Sequence, residues 1–162
     1  MDATNAMKGK GNGSGKGLKA RDVLSYLGRD YIVAGVVVYK LNGKVHPLAC
    51  AVDGDVTLWV EPLMDDLDDR MLVLTEVRDL DIGTPPPESI SYRKSVFVPR
   101  WSGRATVEIA GQVPDQTAGP REVWRYRGAG DVFLQIEARA TGTVVLFGES
   151  VHKGMIDVLP GT

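Results

Sequence analysis

An all-β fold is what this sequence predicts, and three observations carry the prediction. Short runs rich in β-branched and aromatic residues recur along the chain, turn pairs such as Asn42-Gly43 and Asp53-Gly54 separate them, and no apolar period of 3.6 residues persists.

The elements follow in order. Residues 1–20 are rich in Gly, Lys, Ser and Asn with almost nothing to bury, so backbone entropy predicts a disordered arm. Val23, Leu24, Tyr26 and Leu27 read as a first strand before the Gly28 turn. The run 31–39 is β-branched and aromatic, and Asn42-Gly43 folds it back on 44–51, because that pair accepts the left-handed backbone a tight hairpin needs. Asp53-Gly54 turns the chain into 56–60, where Val56, Leu58 and Val60 alternate with Thr57 and Trp59. After an acidic stretch, 71–77 completes a meander. Pro85-Pro86-Pro87 has no amide donors to offer a central strand and marks the joint between halves 21–84 and 88–162. Strands are then expected at 90–98, 105–109, 122–126, 132–138, 143–147 and 155–159, with Ser102-Gly103 and Gly119-Pro120 among the turns.

Gly54-Asp55-Val56-Thr57-Leu58-Trp59-Val60-Glu61 aligns with Gly130-Asp131-Val132-Phe133-Leu134-Gln135-Ile136-Glu137, differing only at two positions and by one Val-for-Ile exchange. This predicts an internal duplication: one β domain over 21–162, made of two related antiparallel meander units packed as a sandwich or a barrel-like pseudo-twofold body.

At 162 residues, 43% hydrophobic and 25% charged, the chain is of single-domain size and needs no staple. Cys50 is the only cysteine, which excludes an intramolecular disulfide and any Cys-paired zinc site and points to a reducing, cytoplasmic setting. No apolar run approaches the length of a bilayer span and no secretory h-region is present, so membrane contact is expected to be peripheral at most. The first 21 residues hold Lys8, Lys10, Lys16, Lys19 and Arg21 against Asp2, a net +4, leaving −6 on the rest of a chain whose total is −2. Such an arm suits an acidic partner or an anionic membrane, or serves only as a solvated tail.

Candidate chemistry is sparse. Asp65, Asp66, Asp68 and Asp69 are weak metal candidates, because calcium needs six to eight oxygens on a spaced loop and adjacent aspartates point apart. His46 and His152 lack a two-ligand spacing and read as a strand-edge and a loop histidine. Cys50 lies in an apolar run and reads as a small buried hydrophobe. No G-x-S-x-G elbow is present, and the Gly-Ser-Gly-Lys at 13–16 follows no strand, so neither a hydrolase nor a phosphate loop is expected, and no cofactor. In Trp124-Arg125-Tyr126-Arg127 the alternation predicts an aromatic core face opposite a solvated basic face. Trp59, Glu61, Trp124, Arg125, Arg127 and Glu137 are the candidate binding residues. Glu61 and Glu137 occupy equivalent repeat positions, which suits either surface glutamates or a pair sharing a proton across a pseudo-twofold axis.

Arg29-Asp30-Tyr31-Ile32-Val33-Ala34-Gly35 with Tyr39, then Trp59-Val60-Glu61, Tyr126, Leu134-Gln135-Ile136-Glu137, Gly148 and the closing Ile156-Asp157-Val158-Leu159-Pro160-Gly161 resemble the bacterial family called domain of unknown function forty-one seventy-eight. The resemblance spans 22–161 and rests on the order of short motifs. It implies a β-rich cytosolic domain without established activity, with genes often neighbouring polyamine-synthesis enzymes, phage-shock-like coiled-coil proteins and small membrane proteins. No catalytic residue carries over. The resemblance therefore implies a non-enzymatic, protein-binding accessory or adaptor module in an envelope- or stress-associated system, dimerising through an exposed strand edge. Two alternatives stand beside it: a small-ligand-binding protein or enzyme with a site between the halves, and a nucleic-acid-binding barrel using Arg125 and Arg127.

Overall fold

The protein is described by a computed structural model that covers residues 17–63 and 69–161. Every element among these residues is a strand except one 3-10 turn, Lys153–Met155. In chain order the strands are β1 (Val23–Tyr26), β2 (Arg29–Leu41), β3 (Lys44–Asp53), β4 (Val56–Leu63), β5 (Arg70–Val77), β6 (Ile90–Tyr92), β7 (Ser95–Gly111), β8 (Gly119–Arg127), β9 (Val132–Arg139), β10 (Gly142–His152) and β11 (Ile156–Leu159).

Within β1–β5 and within β6–β10 successive strands pair antiparallel, β11 pairs with β1, and two long-range seams convert the meanders into a closed eight-stranded barrel: β5 pairs with β10, and β2 pairs with β7. Of the two architectures left open by the sequence, the barrel is the one that forms. Closure pairs all four of the edges, β2, β5, β7 and β10, that two open meanders would otherwise leave raw. The same succession of five strands occurs twice, β1–β5 and β6–β10, and each begins with a tight hairpin whose two turn residues have positive φ, Leu27-Gly28 and Arg93-Lys94. Asn42-Gly43 adopts that geometry too, as the Asn-Gly pair predicts.

Alternation along each strand turns one set of residues into the lumen and the other outward. The lumen core contains Val37, Tyr39, Leu48, Trp59, Leu72, Leu74, Val107, Val123 and Leu146. Outside, β1 and β11 help to cover a second cluster that includes Leu24, Val33, Ala51, Leu58 and Val73, while β6 covers a third with Phe97, Tyr126, Leu134 and Ile136. Most barrel strands are thus buried on both faces.

Three local expectations need correction. Ser102-Gly103 is no hairpin tip: it lies inside β7, a continuous strand of 17 residues that serves β6, β8 and β2 in turn. Gly119-Pro120 opens β8 instead of separating strands, and the real turn here is residues 112–118. Arg93-Lys94 splits the expected 90–98 strand into β6 and β7. The arm was expected to run to residue 20; residues 1–16 lie outside the described part, but Leu18 packs against the second cluster and Lys19 donates to Asp22, so an apolar anchor and an ion pair order the chain earlier.

Candidate functional site

The lumen is not wholly apolar. Along it runs a chain of buried charged and polar side chains that begins on β3 and β4 and ends on β8 and β9. His46 Nδ1 lies 3.5 Å from Glu61 Oε2, and Glu61 Oε1 accepts from Arg125 Nη2 at 2.7 Å. Arg125 also donates from Nε to Gln135 Oε1 at 2.9 Å, and Gln135 Nε2 donates to Glu137 Oε2 at 2.6 Å. Glu137 accepts three more bonds, from Tyr39 Oη at 2.6 Å, Arg121 Nη1 at 3.0 Å and Arg139 Nε at 3.1 Å. Arg125 lies over the ring of Trp101, which stacks on His46, and Arg121 lies over Tyr39.

Burial is severe. Gln135 and Glu137 are 0% exposed, Arg125 and Glu61 3%. Charges at such depth persist only when paired and hydrogen-bonded, and here the partners come from five strands, β2, β3 and β4 of one half and β8 and β9 of the other. Desolvation pushes the Glu61 carboxyl upward, but Arg125 and hydrogen bonds from His46 and Arg125 outweigh it and hold the group below its ordinary value. A carboxylate depressed on folding stabilises the protein above the unfolded-state value and loses that contribution as pH falls through the folded one. Glu61→Gln is therefore expected to flatten the loss of stability between about pH 5 and 3, measured by urea unfolding; parallel wild-type and variant curves would rule this out. Burial first, then the charge of Glu137, drives the Tyr39 hydroxyl far above its usual range, so it remains a proton donor.

The candidate residues read from sequence are only partly brought together. Glu61, Arg125 and Glu137 belong to this one network, and Trp59 packs beside it in the lumen core. The two glutamates are neither surface groups nor a proton-sharing pair, since Arg125 and Gln135 stand between them. The expected solvated basic face is reversed: Arg125 points into the barrel, and Trp124 and Tyr126 lie outside, packed in the third cluster. Arg127, at the strand end, is half-buried, pairs with Asp131 and lies over Phe133. His46 sits on the end of β3 that pairs with β2 at Tyr39 but lies beyond the β4 ladder, which begins at Ala49; its side chain is turned to Glu61 and Trp101. Asp65, Asp66 and Asp68 lie outside the described residues; Asp69 is exposed, 3.9 Å from exposed His152, and no group of three or more potential ligands gathers among the described residues.

What sequence reasoning missed is the other half of the network and the space beside it. Tyr39, Arg121, Gln135 and Arg139 were not singled out, although Arg121 and Arg125 share a strand face and Gln135 and Glu137 share another, a period-two polar pattern inside apolar strands. Where β7 passes to β8, a half-open cavity of about 510 Å³ enters the barrel end, lined by Cys50, Val52, Ile109, Val113, Pro114 and Gln116. Gly35 and Gly111 face each other at its rim, and a Cβ on Gly35 would stand 2.6 Å from Ala110 O, so the close seam requires glycine. Burial raises the Cys50 thiol above its ordinary pKa, consistent with an unreactive wall residue.

The family model described as Domain of unknown function (DUF4178) matches residues 19–153. The chain belongs to this family. The DUF4178 match covers all ten strands of the two successive meanders, while β11 and the closing motif 156–161 lie beyond it. No curated protein and no solved structure matches the chain. Among the described residues no helix is long and apolar enough to cross a membrane.

Proposed function

We propose that this DUF4178 domain is a non-enzymatic binding module whose barrel end receives a small molecule. The observation that carries the reading is the cavity at the β7–β8 connection: its volume suits a small ligand, its walls are mostly apolar, and a rigid closed barrel holds it open. The lumen charges support holding over turnover, because Glu61 and Glu137 are tied to arginines and offer no free base to a bound molecule. The two five-strand meanders, joined by seams β2–β7 and β5–β10, favour descent of the halves from one duplicated unit.

A second reading, the protein-binding adaptor, is favoured by the free edge of β11, around which Leu27, Met155 and Leu159 are exposed. Dimerisation, a cytoplasmic address, an envelope- or stress-associated setting and contact of the basic arm with an acidic partner or membrane belong with this reading. Native mass spectrometry of the full chain purified from its own cells tests both. The expected result is a small molecule carried at one per chain and absent from Ile109→Trp, which fills the cavity. A stoichiometric protein retained without any small molecule would move the assignment to the edge.

A further inference from the structure

Resting on that reading, we infer that the barrel-end cavity takes a hydrocarbon carboxylate, with its anionic head toward Gln116 and its chain along Val52, Ile109 and Val113. Two buried donors lack partners, Gln116 Nε2 and Arg139 Nη2. No other buried side-chain nitrogen or oxygen among the described residues lacks a partner, so these two stand out at a place where an unmade hydrogen bond is expensive.

The orientation of the Gln116 amide is not arbitrary. Its oxygen accepts from Arg121 Nη1 at 2.7 Å; turned over, the amide would set donor against donor. Gln116 lines the cavity, and its buried, unpartnered NH₂ calls for an acceptor at that end. Arg121 is further fixed by Thr117 O at 3.1 Å, which holds the 112–118 connection down on the same guanidinium.

Charge points the same way. Arg121 and Arg139 both bond one oxygen of Glu137, so two guanidiniums share a single carboxylate while Arg125 takes Glu61 for itself. A surplus positive charge inside a low-dielectric barrel is unfavourable unless an anion joins it. A carboxylate meets both needs: it accepts from Gln116 at the cavity wall, and its charge balances the Arg121–Arg139 pair to which Gln116 is tied through Arg121. Apart from Gln112, the remaining side chains of the wall, among them Cys50, Val52, Ile109, Val113 and Pro114, are apolar and suit a hydrocarbon chain.

The test uses the full chain with sodium octanoate and, as the uncharged probe, 1-octanol, followed by calorimetry and by the methyl signals of Val52, Ile109 and Val113. Octanoate is expected to bind at least tenfold more tightly than octanol. Gln116→Glu keeps an acceptor for Arg121, removes the free donor and adds a negative charge, so the fold is retained; it is expected to lose octanoate binding by more than tenfold with octanol affinity unchanged. Equal affinities for the two probes, or octanoate binding untouched by Gln116→Glu, would overturn the carboxylate inference and leave the cavity reading in place. Failure of both probes to move the three methyl signals would remove both.

Discussion

Glu137→Gln is expected to destabilise the domain by about 3–5 kcal/mol, the range for removing one partner of a buried ion pair. The carboxylate accepts four bonds at 0% exposure, and its neutral replacement leaves Arg121 and Arg139 facing each other without a counter-charge. The surface pair Lys40–Glu108 is the comparison: both side chains are about half exposed, at 48% and 59%, and Glu108→Gln is expected to change stability by less than about 1 kcal/mol. Urea unfolding of the two variants side by side is the measurement. Similar, small effects from both would mean that the lumen network adds nothing to the fold.

Gly148→Ala is the second large effect. Gly148 lies on β10 between β5 and β9, and an added Cβ would be driven into the backbone carbonyl of Val73, which cannot rotate away as a side chain can. Relief requires the β5–β10 seam to part, so a loss of about 3 kcal/mol is expected, at the upper end for overpacking. Gly83→Ala, where nothing lies within 4 Å, should stay within about 0.5 kcal/mol. A thermal melt of Gly148→Ala indistinguishable from that of Gly83→Ala would show that the seam is looser than its geometry.

Much of the fold was legible because its signals are local. Asn42-Gly43 names its own hairpin, Pro85-Pro86-Pro87 interrupts the ladder, and Val56, Leu58 and Val60 announce a face. Barrel closure was not, because a seam such as Tyr39 opposite Val107 has no local signature. The same limit hid the site. A charged residue alternating with aromatics in 124–127 looks solvated when water is assumed on the polar side, whereas both sides of β8 are covered, the inner one by partners from β4 and β9. Glu61 and Glu137 were found through repetition, but Arg121 and Arg139, the partners of Glu137, carry no repeat signal. Ser102-Gly103 misled because glycine in a strand also serves close packing: a Cβ at Gly103 would stand 2.8 Å from a Leu41 methyl.

Both seams of the barrel join the first meander to the second, and this has a consequence for how the chain is made. Strands β2 and β5 each lack one neighbour until β7 and β10 have been synthesised, so the leading half leaves the ribosome with two unpaired, apolar strand edges. Pairings such as Lys40 with Thr106 span much of the chain, which places folding among the slow, high-contact-order cases and makes translation of the second half its timekeeper. The interval between the two halves is then when a holdase has the most to protect, and a chain truncated before β10 is a substrate for aggregation or proteolysis, not half of a working domain.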